Sequence, residues 1–78
     1  MTEKEWLEEF SYNLKELLHK ANMTQHELSL GSGLADSTIS DYMNGRQMPG
    51  VRAIINIAYA LSVDTDELID FGFTITKW

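Results

Sequence analysis

Residues 36 to 47 read "DSTISDYMNGRQ", a dense set of side chains able to make directed hydrogen bonds. Asp36 and Asp41 offer carboxylates, Ser37, Thr38 and Ser40 hydroxyls, Asn44 and Gln47 amides, and Arg46 a guanidinium. Carboxylates only accept, a guanidinium donates in a rigid fork, and hydroxyls and amides do both. Such a set suits recognition of a patterned polar surface. It does not suit bond-breaking. The chain has no cysteine, hence no thiolate nucleophile, disulfide or thiolate-held metal. His19 and His26 fall on either side of an expected helix break and are read as exposed, and no serine has an identifiable base and orienter. "GSG" at 31–33 lacks the strand–loop–helix setting of a phosphate loop. No enzyme activity, catalytic residue, metal site or cofactor is expected.

The two aspartates raise a question, because the whole chain carries a net charge of -6. The excess is uneven. Glu3, Glu5, Glu8 and Glu9 lie near one end, and Asp64, Asp66, Glu67 and Asp70 near the other. Between residues 10 and 63 four acids (Glu16, Glu27, Asp36, Asp41) meet four bases (Lys15, Lys20, Arg46, Arg52). A polyanionic partner is therefore not excluded by charge, which governs steering and solubility, not fold.

Helices must position these groups. Over residues 3–21, Trp6, Phe10, Leu14 and Leu17 or Leu18 recur at three- and four-residue steps, the mark of one apolar stripe. Glutamates open that helix, while Lys15, His19 and Lys20 close it, as the macrodipole favours. Asn22 marks a break. "TQHE" at 24–27 is a capping-box pattern. It starts a second helix running to about Leu30 and ended by "GSG", with Gly33 and Leu34 in the turn. A third helix spans about Asp36 to Met43, with Ile39 inward and Tyr42 or Met43 one turn on. "NGRQMPG" at 44–50 is turn-rich, and Pro49 bars helix before it. A fourth helix, Val51 to Leu61, places Val51, Ile54, Ile55, Ala58 and Leu61 on one broad apolar face and forms the centre of the core. "DTDE" at 64–67 opens a short fifth helix through Ile69. In "FGFTITKW", Phe71, Phe73 and Ile75 alternate with small or polar residues, which is a strand signal. One strand cannot stand alone, so this tail is a candidate dimer element, with Phe73 and Trp78 adding apolar area.

A chain of 78 residues buries only roughly 60–65% of its unfolded surface. The expected architecture is one small all-α, five-helix domain over residues 1–70 with a strand-like tail over 71–78. The acidic start "MTEKEWLEEF" lacks the basic region and apolar run of a signal peptide. No apolar run approaches the roughly 20 residues that span a bilayer. The expected setting is cytoplasmic, with no membrane partner.

The tight helix–glycine–helix unit formed by the second and third helices suggests a helix-turn-helix, in which one helix crosses the phosphate backbone and the next enters the major groove. Over about residues 10–70 the chain resembles the Cro and repressor-like (XRE-type) regulators, whose fold is the lambda-repressor-like domain. The resemblance rests on "MTQHELSLGSGLADSTISDYMNGRQMP" followed by "IAYALSVDTDELI". It implies a small transcriptional repressor that binds double-stranded DNA, commonly as a homodimer. Gln25 then falls at a phosphate-anchoring position with its side chain free. Asp36, Ser37 and Asp41, with Thr38 beside them, fall at base-reading positions of the third helix. Ser40 and Asn44 face phosphate, and Arg46 and Gln47 follow near the backbone or minor groove.

Four departures qualify the resemblance. Ala35 stands where the family usually has a small hydroxyl residue, so Asp36 is read as a substitute helix cap. Asp41 either accepts from cytosine, pairs with Arg46 or Arg52, or signals lost DNA binding. Leu30 and Gly31 occupy positions that are usually polar. Leu30 is expected to be half-buried against the first helix, the alternative being an exposed contact for a partner. Met43 replaces a common acid. The rival reading is a helix-turn-helix fold used as a protein-interaction or antitoxin-like module.

Overall fold

Local capping sets the helix boundaries. The structure, a computed structural model, describes residues 2–69 and contains α1 (Glu3–Ala21), α2 (Gln25–Ser32), α3 (Asp36–Met43), α4 (Val51–Leu61) and α5 (Thr65–Leu68). The expected tail, 71–78, lies outside the described residues. Thr2 and Glu5 form a capping box at α1, and Thr24 and Glu27 form the expected one at α2. At α5 the Asp64 amide donates to Glu67 Oε2 at 3.1 Å.

The exits of α1 and α4 follow one device. Asn22 and Ser62 take left-handed backbone at φ 53° and 59°. After α1, the Met23 amide donates to Leu18 O and Asn22 to His19 O; after α4, Val63 donates to Ala58 O and Ser62 to Tyr59 O. These paired 6→1 and 5→2 bonds are Schellman motifs. The second helix runs past Leu30 to Ser32 before Gly33 (φ 74°) turns the chain. It continues because the segment is held on both sides. Ser29 Oγ donates to Leu34 O at 2.6 Å, and Ser32 Oγ accepts from the Leu34 amide at 3.3 Å. Gly31 lies so close to α4 that an added Cβ would meet Ala60 Cβ at 3.3 Å.

The core joins Phe10, Leu14 and Leu18 of α1 to Leu28, Ile39, Tyr42, Ile54, Ile57, Ala58, Leu61 and Leu68. Phe10 and Tyr42 meet edge to face, centroids 5.7 Å apart, and lock α1 onto α3. Burial raises the pKa of the Tyr42 phenol. Asn13 Nδ2 donates to Leu68 O at 2.9 Å, tying α5 to α1.

The phase of α4 differs from the expected one. Its buried positions are Ala53, Ile54, Ile57, Ala58 and Leu61, whereas Val51 and Ile55 are 75% and 52% exposed. The helix is apolar on both faces, so hydropathy alone does not choose between them; the packing of α1, α2 and α5 against one face does. Leu30 is 70% exposed, which overturns its expected burial against α1, because Leu28, Ser29 and Ser32 supply the buried face of α2.

Candidate nucleic-acid interface

The α2–turn–α3 unit is held from beneath by buried apolar groups and from the side by polar bonds. Leu28 and Ile39 have no exposed surface, and Leu34 packs half-buried against the same core. Ile39 and Tyr42 turn the inner face of α3 toward α1 and α2. Three- and four-residue spacing then puts Ser37, Ser40, Asp41 and Asn44 on the opposite, outward side. Ser37 is exposed, Ser40 and Asp41 are half-exposed, and Thr38 lies half-buried on the flank. Gln47 is exposed beyond the helix.

Asp36 does not cap α3. Ala35 is the cap residue and makes no side-chain hydrogen bond. Asp36 lies one position too late and turns back to α2, where His26 Nδ1 sits 3.0 Å from Asp36 Oδ2. With the Nδ1 proton in place, His26 donates to this carboxylate. Gln25 is not free either: its Nε2 donates to Asp36 O at 3.2 Å. Two residues at the start of α2 therefore clasp the first residue of α3, which fixes how the two helices meet. His26 is exposed as expected, but its part in this clasp is not evident from sequence; the available signal is an imidazole in the first turn of one helix and a carboxylate in the first turn of the next.

Asp41 takes one of its three expected options and pairs with Arg46. Arg46 Nε donates to Asp41 Oδ1 at 3.0 Å, and Arg46 Nη2 lies 2.9 Å from the same oxygen. The backbone makes this contact by a third Schellman motif. Gly45 takes left-handed backbone at φ 68°, the Arg46 amide donates to Asp41 O at 2.9 Å and the Gly45 amide to Tyr42 O at 3.2 Å. The chain thus doubles back, and Arg46 reaches the last turn of α3. Arg46 Nη2 also reaches Ser40 Oγ at 3.5 Å, and Asn44 Nδ2 donates to Ser40 O at 2.8 Å.

Each acid on α3 has a basic partner, Asp41 with Arg46 and Asp36 with His26. The Asp41 charge, which opposes a polyanion, is therefore offset locally by the Arg46 guanidinium. Thr24 and Glu27 hold the start of α2. The Thr24 amide donates to Glu27 Oε1 at 2.8 Å and the Glu27 amide to Thr24 Oγ1 at 3.0 Å. Hydrogen bonds from the Thr24 backbone, then its side chain, lower the Glu27 pKa. Among the described residues no group of His, Cys, Asp and Glu could hold a metal ion, and no helix is long and apolar enough to cross a membrane.

This geometry has counterparts. The helix-turn-helix family profile matches residues 14–68. The crystal structure of the restriction-modification controller protein C.AhdI from Aeromonas hydrophila is similar, with 28% sequence identity and a TM-score of 0.78 over 81% of this chain and 96% of that one. No curated protein sequence matches the chain.

Proposed function

The chain belongs to the XRE-type helix-turn-helix family and is a DNA-binding transcription regulator, and from that premise we propose that it reads specific double-stranded DNA with α3 in the major groove. The outward polar row of α3, held rigid by a buried apolar face, carries this reading. Ser37 and Thr38 are the hydroxyls nearest base edges, and Ser40 sits with Asn44 and Arg46 on the phosphate side. Asn44, Arg46 and Gln47 flank them toward the phosphate backbone, and the start of α2 crosses that backbone beside Gln25. Backbone contacts set the register, whereas base-edge contacts carry sequence information. Asp36, clasped by α2, serves the angle between the helices and not a base.

The proposed role is a small Cro-like repressor acting as a homodimer. An eight-residue helix is about 12 Å long, enough for one half-site; a second copy supplies the other, about 34 Å away. Val51, Ile55 and Tyr59 stand at four-residue steps on the exposed side of α4, and this apolar stripe is the surface we assign to the second copy. Tyr59→Glu should then shift sedimentation from dimer to monomer. C.AhdI is a restriction-modification controller, and the same class of regulatory task is proposed for this chain. The rival module would use Leu30 and the α4 stripe for a different protein.

Selection from random duplexes followed by a salt titration tests the reading. A pseudo-palindrome should emerge. With about four phosphate contacts per half-site, log K for each half should fall with log salt at a slope of about -3.6. Absence of any enriched motif, with sedimentation as a monomer, would favour the rival module.

A further inference from the structure

Asp41 uses only one of its two carboxylate oxygens. Arg46 Nε and Nη2 both address Oδ1, and among the described residues Oδ2 accepts no hydrogen bond. Asp41 stands four residues after Ser37 on the outer side of α3 and keeps 38% of its side-chain surface exposed. Its place is fixed from within by Ile39 and Tyr42, and its orientation by an arginine that the Gly45 turn delivers. A carboxylate of this kind is held in place and neutralised by Arg46 before any ligand arrives.

We infer that Asp41, oriented by Arg46, reads a cytosine in the major groove, Oδ2 accepting from the exocyclic N4 amino group. The inference rests on the reading of α3 proposed above. A carboxylate is an acceptor only. On the major-groove edge guanine and thymine present acceptors, O6 with N7 and O4, so neither offers it a hydrogen bond. Cytosine presents the N4 donor, and adenine places its N6 donor beside an N7 acceptor. A lone acceptor therefore rejects guanine and thymine, and of the two remaining amino groups cytosine N4 is the one that carboxylates pair with by geometry.

Arg46 serves both contacts. A guanidinium has five N–H donors. Nε and Nη2 are directed at Asp41 and Ser40, while among the described residues no hydrogen bond engages Nη1. Nη1 can meet a phosphate while Nε keeps Asp41 in place. The acid is thereby kept from repelling the backbone it lies beside, and its base contact is linked to the arginine's phosphate contact. Asp41 is the base-contacting residue; Arg46 is the positioning residue.

The test uses the whole chain and the duplex it selects from a random pool, with every base pair of one half-site then varied. The unmodified protein should prefer cytosine at one position per half-site by about five- to 150-fold. Asp41→Ala should erase that preference and leave the others intact, and Asp41→Asn should move it toward adenine, which asparagine can bind through N6 and N7. Arg46→Ala should weaken every duplex and also loosen the cytosine preference. Circular dichroism of each variant checks folding, with Asp41→Asn as the isosteric second variant. Retention of the cytosine preference by Asp41→Ala overturns the inference and leaves DNA reading by α3 standing. The same uniform loss for Asp41→Ala and Arg46→Ala also overturns it, since Asp41 would then only hold the arginine. Failure of the unmodified protein to select any duplex overturns both.

Discussion

Asp36 and Asp41 lie on one helix, yet their surroundings differ in origin. Asp36 meets α2: its carbonyl accepts from Gln25 and its carboxylate from His26. Asp41 meets the exit turn of its own helix, through Arg46. One end of α3 is thus fastened to its neighbour, while the other is organised by a three-residue reversal of its own chain. An acid on a reading helix is not one kind of feature. Its effect depends on which side chain it meets and on which end of the helix it stands.

Substitutions can break this comparison at several depths. The largest effect is expected beneath both ends. Leu28→Ala removes a side chain with no exposed surface and should cost about 2–5 kcal/mol, read from urea denaturation; it would loosen both aspartates together. Gly45→Ala should cost about 1–2 kcal/mol, because a Cβ disfavours left-handed backbone, and should release Arg46 from Asp41 while the Asp36 clasp persists. In a salt titration of DNA binding, Arg46→Ala should lower the slope of log K by about 0.9, one phosphate's worth, whereas His26→Ala should leave it unchanged. His26→Ala should cost only about 0–1 kcal/mol of stability, as exposed pairs do, and leave base preference untouched; a changed base preference would show that the two ends are not separate.

The smallest effect concerns acid. Hydrogen bonds from Thr24 hold the folded-state pKa of Glu27 below its ordinary value. The stability Glu27 contributes is therefore present above the unfolded carboxylate pKa, about 4.3, and is lost as pH falls through the lower folded value. Glu27→Gln should flatten that acid limb in urea midpoints taken from pH 6 to pH 3, leaving behaviour near neutrality little changed.

Much of this fold is legible in the sequence where the determining forces are local. Caps and breakers at Thr24, Asn22, Gly33 and Pro49 act within a turn, and the bounds of α1, α3 and α4 follow from them. The phase of α4 is not local. Val51 and Ile55 are as apolar as Ile54 and Ile57, and only the packing of α1, α2 and α5 around α4 decides which pair is buried. Asp36 is illegible for a related reason: its partners lie ten and eleven residues back, and their meeting depends on the angle between α2 and α3. The Asp41–Arg46 pair is a foreseeable alternative, but its five-residue spacing needs the reversal at Gly45 to become a contact.

The central claim is that the outward row of α3 meets duplex DNA, and amide chemical-shift mapping on the labelled chain with its selected duplex tests it most directly. The largest shifts should fall on Ser37 to Arg46 and on the first turn of α2, with the α4 residues Val51, Ile55 and Tyr59 little moved. Shifts centred on the α4 stripe with the α3 amides unchanged, or no shift with any duplex at low salt, would contradict it.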